Sequence, residues 1–170
     1  SAVTLIAASD LPRLTLADRS GSRAELSLYG GQLLSWSDSD KREHFYRSRR
    51  ARYEPGQSIR GGVPVVFPQF ANQGPLPKHG LLRTRPWSVT ERGEGRAVLR
   101  ITDDAGTRAL WPHRFRAEIE VLLDQSLTVR LTITNTGNAP FWFTAALHTY
   151  FAVSDILAAR ISGLGGCAYV

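Results

Sequence analysis

Between residues 116 and 134 the chain alternates apolar and polar side chains twice over, and a period of two leaves little choice of backbone. Ala117, Ile119, Val121 and Leu123 share one face of an extended segment. After Asp124-Gln125, so do Leu127, Val129, Leu131 and Ile133, while Thr128, Arg130, Thr132 and Thr134 point the other way. Two such runs joined by a short connection predict an antiparallel pair with one face buried and one wet.

The rest of the chain speaks the same language. Residues 13–17 and 23–28 alternate around the turn-forming Asp18-Arg19-Ser20-Gly21-Ser22, which predicts a hairpin. Residues 32–36, 87–90 and 96–102 read as further strands, and Asn135-Thr136-Gly137-Asn138 turns the chain into a last one over 141–150. Almost nothing recurs at helical period. Short strands, glycine-rich turns and no crossover helices predict an all-β, antiparallel β-sandwich. Residues 61–86 break the pattern. Pro64, Pro68, Pro75 and Pro77 argue against a central strand there, so a long irregular loop is expected. Loops of that length in compact folds are commonly functional.

At 170 residues the chain suits one domain with a real core. No apolar run approaches the roughly 20 residues that span a bilayer, and Ser1-Ala2-Val3-Thr4 opens no signal segment. A single cysteine, Cys167, excludes an internal disulfide and a cysteine metal cluster and fits the cytoplasm. The net charge of +6 raises the question of an anionic partner, although the basic run before Arg60 reads more plainly as a solvated loop. Nucleic acid is the weakest candidate, because no aromatics are spaced along a basic strand for stacking.

Two histidines stand in unusual settings. Over residues 141–150, Phe141, Phe143, Ala145 and Leu147 form a core face, and Trp142, Thr144, Ala146, His148 and Tyr150 form the other. Aromatic and hydrogen-bonding groups with a small residue between them could floor a sugar ring, although a histidine satisfied within a sheet is the plainer alternative. His79 lies in Pro77-Lys78-His79-Gly80, where a turn histidine bonding backbone is the alternative. Arg60 and Arg83 bracket the loop, and a guanidinium can hold a phosphate bidentately, with a generic basic loop as the alternative. His44 and His113 read as structural or surface residues. No histidine pair has zinc-motif spacing, so no metal is expected.

Arg60-Gly61-Gly62-x-Pro64, Phe67-Pro68, Leu76-Pro77-x-His79-Gly80-x-x-Arg83 and Pro86-Trp87 occur in the order and spacing of a known family. So do Trp111-Pro112-His113-x-Phe115, Asn135-Thr136-Gly137, Ala146-Leu147-His148-Thr149-Tyr150-Phe151 and Gly163-Leu164-Gly165-Gly166-x-x-Tyr169. The chain resembles the hexose-6-phosphate mutarotases of the aldose 1-epimerase family. The resemblance implies a galactose mutarotase-like supersandwich, no cofactor, and interconversion of the α and β anomers of a hexose 6-phosphate. It implies His148 as the acid on the ring oxygen, Arg60 and Arg83 on the phosphorylated substrate, and His79 on the sugar oxygens. Lys78 stands where related enzymes often carry a glutamine that contacts substrate, and here it is expected to meet phosphate.

The resemblance also implies a substrate-binding aspartate just after Tyr169 and a catalytic glutamate far downstream, positions that the 170 residues do not include. No other carboxylate, Asp155 included, has the setting to replace that glutamate. The expectation is therefore the N-terminal three-fifths of a mutarotase, one truncated domain that binds weakly and turns over poorly, with strand edges left exposed. The competing expectation is a non-catalytic sugar-phosphate or carbohydrate-binding β-sandwich. Neither expectation includes nucleic acid or a membrane, and neither fixes an oligomeric state.

Overall fold

A computed structural model describes residues 11–124 and 126–168. The start of the chain, the turn residue Gln125 and Tyr169 of the glycine motif lie outside them. The described residues form two antiparallel sheets and a short ladder between them. β1 (Arg13–Ala17), β2 (Arg23–Ser27) and β3 (Gln32–Ser37) make a three-stranded sheet in chain order. After β4 (Val65–Val66), a four-stranded meander follows: β5 (Ser88–Gly93), β6 (Arg96–Thr102), β7 (Phe115–Leu123) and β8 (Leu127–Asn135). β9 (Ala146–Leu147) pairs with β4.

The alternation sets the register. Ala117 faces Ile133, Ile119 faces Leu131 and Val121 faces Val129, so one face of the β7–β8 pair is continuously apolar. That face meets Leu14, Leu16, Leu26 and Leu33 of the first sheet, with Val63, Val65, Phe67 and Trp87 between, in one buried cluster. Leu131 and its neighbours on β8 pack against this core but stay half exposed, because β8 is an edge strand. The outer face of the meander carries Arg96–Glu120–Arg130 and Arg100–Glu118 ion pairs. Exposed pairs contribute only about 0–1 kcal/mol each, so the buried face dominates stability. From residue 151 to 168 every residue is exposed, including Phe151, Ile156 and Leu157.

Three expectations change. β5 runs on to Gly93, which shortens its turn with β6 to Glu94 and Gly95. A six-residue helix, α1 (Ala105–Leu110), follows β6, closed by reciprocal bonds from Thr107 N to Asp104 Oδ1 and from Asp104 N to Thr107 Oγ1. The proline-rich loop does hold a strand. Val65 and Val66 pair with Leu147 and Ala146, while residues 141–145 and 148–150 stay outside strand geometry. Pro64 and Pro68 explain both facts. They accept from His148 N and Thr144 N, but a proline has no N–H to return, so the ladder closes only between them.

Candidate active site

The core decides which way the last segment faces. Leu147 and Phe141 pack on the buried cluster, so their neighbours turn outward: Trp142 is 96% exposed, and His148 is exposed beside Pro64. Backbone bonds hold this segment against residues 62–68: Thr144 N to Pro68 O (2.9 Å), His148 N to Pro64 O (3.0 Å) and Tyr150 N to Gly62 O (2.8 Å).

The loop that follows Pro68 folds back over the same surface, and Gln69 is its internal staple. Buried at 5% exposure, it donates from Nε2 to the Ala71 and Leu76 carbonyls and accepts Leu76 N at Oε1. The return leg is fixed twice at one point. His79 N donates to Ala71 O, and Ala71 N donates to His79 Nδ1 at 3.2 Å. His79 adopts a φ of 67°, a left-handed conformation that costs a non-glycine residue about 1–3 kcal/mol and that these bonds hold in place.

Here the two histidines meet. The His79 and His148 ring centroids are 5.4 Å apart. Phe70 stands 5.5 Å from His79, and Tyr150 stands 5.3 Å from His148. Arg83, on a single 3-10 turn (Leu82–Thr84), reaches back to donate from Nη2 to Lys78 O at 2.7 Å. Burial lowers the Arg83 guanidinium from its ordinary value, and the neighbouring Tyr150 phenol partly offsets this.

The state of His79 follows from its partners. Because Nδ1 accepts a backbone N–H, the neutral ring carries its proton on Nε2 and offers that as its one donor. Burial lowers the imidazole from its ordinary 6.5, with Arg83, His148 and Lys78 pushing the same way. The unfolded chain therefore binds the proton more readily than the folded one, and stability is lost as pH falls from about 6.5 toward the depressed folded value. Urea denaturation across that window should show the loss. His79→Asn, which tolerates the left-handed backbone, should remove it.

The expected residues separate in this geometry. His148, His79, Arg83 and the backbone of Lys78 come together, and the Lys78 side chain is exposed at the edge. Arg60 is exposed and touches none of them; its side chain neither hydrogen-bonds nor ion-pairs with any described residue. Trp142 makes no ring contact with the cluster. Phe70 and Gln69 were not anticipated as site residues. The one polar residue inside Phe67-Pro68-Gln69-Phe70 was the available signal.

Among the described residues no Asp or Glu pairs with His79, His148, Lys78 or Arg83, and no three His, Cys, Asp or Glu are placed to hold a metal. No described helix is long and apolar enough to cross a membrane. A recess of about 320 Å³ lined by Arg85, Ser88, Arg100 and Asp104 shares none of these residues. Its arginines are already paired with Asp104 and Glu118, so the histidine cluster is the better centre for chemistry.

Residues 12–170 match the aldose 1-epimerase family profile. The chain belongs to that family. Within it, a Cenchrus ciliaris protein named "Putative glucose-6-phosphate 1-epimerase" is 36% identical over 95% of this chain and 53% of its own length. An Escherichia coli K12 protein of the same name is 35% identical over 89% of this chain and 52% of its own. The chain thus spans about half the length of the curated relatives it matches. A Salmonella typhimurium crystal structure titled as a putative mutarotase superposes with a TM-score of 0.74 at 29% identity, over 86% of this chain and 50% of that one. A galactose mutarotase related enzyme from Lactobacillus acidophilus, at 17% identity and a TM-score of 0.72 over 87% of this chain and 51% of that one, shares the fold. As an aldose 1-epimerase family member, the chain has the all-β architecture that its strand pattern predicts, in the galactose mutarotase-like form that the resemblance implied.

Proposed function

We propose that this chain carries the acid and the phosphate-binding part of a site that interconverts the anomers of a hexose 6-phosphate, with glucose 6-phosphate as the substrate to test. One observation carries the proposal. The ring of an exposed histidine, its backbone N–H fixed on Pro64 O, stands 5.4 Å from that of a buried, tautomer-fixed histidine, with a guanidinium beside them.

In this mechanism His148 donates a proton to the ring oxygen as the C1–O5 bond breaks. A base takes the proton of the anomeric hydroxyl, whose electrons form the C1 carbonyl. Rotation about C1–C2 presents the other carbonyl face. Closure reverses both proton transfers, so nothing is consumed. His79 Nε2–H donates to a sugar hydroxyl, Phe70 packs on the C–H face of the ring, and Arg83, Lys78 and Arg60 receive the phosphate. Because no carboxylate pairs with this cluster among the described residues, the chain by itself is expected to bind better than it turns over. The same fact favours a second reading, a sugar-phosphate-binding module without turnover.

Arg83→Ala tests the phosphate assignment. Losing a charge-assisted bond should weaken glucose 6-phosphate by about 1.5–3 kcal/mol, roughly ten- to hundredfold, and free glucose far less. Equal losses for both sugars in an NMR titration would place the phosphate elsewhere.

A further inference from the structure

Gln32 is fully buried at the start of β3, where its backbone pairs with Ser27, yet its side chain serves neither that sheet nor the apolar core. Its Nε2 reaches about thirty positions along the chain to donate to Ile59 O at 3.2 Å and to Gly61 O at 2.5 Å. These are the two carbonyls that flank Arg60. The carbonyl between them, that of Arg60 itself, accepts Ser48 N at 3.2 Å. Three consecutive carbonyls are thus held by tertiary contacts, and Gly62 is tied on both sides, to Tyr46 O through its N–H and to Tyr150 N through its carbonyl.

The side chain in the middle of this pinned backbone is the exception. Arg60 is exposed, with no hydrogen-bond or ion-pair partner among the described residues. Gln32 does not gain full satisfaction for itself either, since its Oε1 has no partner among the described residues. An apolar residue would fill the position without burying an unpaired acceptor, so what the amide uniquely supplies is its hold on the Arg60 backbone.

We propose that Gln32 is a positioning residue: it holds the main chain on both sides of Arg60 so that the exposed guanidinium is aimed at the anionic substituent of the sugar. The inference rests on the hexose 6-phosphate reading above and extends it. His148 pairs with Pro64, which lies at most roughly 14 Å along the chain from Arg60. The long arginine side chain covers part of that span, and the sugar covers the rest. A rigid base for a flexible cation is what preorganised anion binding requires.

The test uses the whole chain and two probes, glucose 6-phosphate and glucose, titrated by NMR against the parent, Gln32→Met, Arg60→Ala and the double variant. The affinity ratio of glucose 6-phosphate to glucose is expected to fall about tenfold in each single variant and no further in the double. A merely structural Gln32 would weaken both sugars together and leave the ratio unchanged, which overturns the assignment. A ratio that falls in Arg60→Ala but not in Gln32→Met also overturns it, while the phosphate reading stands. A parent chain that holds both sugars equally removes that reading and this inference together. Gln32→Asn, too short to span both carbonyls, repeats the test if the methionine variant does not fold. If neither folds, Gln32 is a core residue of the fold and the positioning role is wrong.

Discussion

His148→Ala is expected to remove whatever anomer exchange of glucose 6-phosphate the parent adds to the spontaneous rate, when the two are compared by two-dimensional exchange NMR; a positioned acid contributes about 10²–10⁴-fold where its base is also in place. Affinity should change far less, because the proposed phosphate contacts lie on Arg83, Lys78 and Arg60. The size of the effect follows from what the imidazole replaces. Ring opening without an acid must expel an alkoxide from C1, and a positioned donor removes that charge as it forms. The backbone that carries His148 is fixed through Pro64 O and, two residues on, through Gly62 O to Tyr150 N, so truncation at Cβ leaves that segment where it is. The result also separates the two functional readings. Lost exchange with retained binding identifies an acid. Unchanged broadening of the sugar-phosphate resonances, in a parent that adds nothing to the spontaneous rate, identifies a binding module.

The parts of this molecule governed by local period were legible in advance, and those governed by pairing between distant segments were not. The faces of β7 and β8 follow from alternation alone, and the register of Ile119 against Leu131 bears them out. Leu147 and Phe141 do turn inward and His148 outward, but Phe143 and Ala145, expected on the same core face, are exposed, because residues 141–145 leave strand geometry and the alternation does not hold there. The proline rule gave only half the truth about residues 61–86. Pro64 and Pro68 do prevent a long strand, but their carbonyls still accept, so two residues between them found partners in Ala146 and Leu147. α1 had a readable start in Asp104-Ala105-Gly106-Thr107, but six residues are too few to show a period. For the site, motif order picked out His79, His148 and Arg83, and these converge. Arg60 belongs to the same motif but stands apart from the cluster, and no local pattern shows that Gln32 would reach across the fold to hold it.

Gly62→Ala should cost about 2–5 kcal/mol in urea denaturation, and Gly56→Ala supplies its control. Gly62 has a φ of 63°, where an L-residue pays about 1–2 kcal/mol for the left-handed backbone alone. Space is the larger obstacle. A Cβ there would stand 2.2 Å from Leu33 O and 2.9 Å from Leu34 Cα, both main-chain atoms of β3 that cannot rotate away. Relief requires the 61–66 segment to move off β3, breaking Val63 N to Leu33 O, and overpacking of this kind adds about 1–3 kcal/mol. Gly56 has a φ of 83° and nothing within 4 Å of its would-be Cβ, so its substitution costs the backbone term without the clash. The difference between the two variants measures the close approach itself. That approach bears on function, since Gly62 O is the acceptor for Tyr150 N, and a segment lifted from β3 carries the Pro64 contact to His148 with it. Gly62→Ala should therefore weaken sugar-phosphate binding under conditions where it remains folded, and Gly56→Ala should not. Equal costs for the two substitutions would mean that the segment yields to a methyl group, and that the alignment of His148 with Arg60 is set by something other than contact with β3.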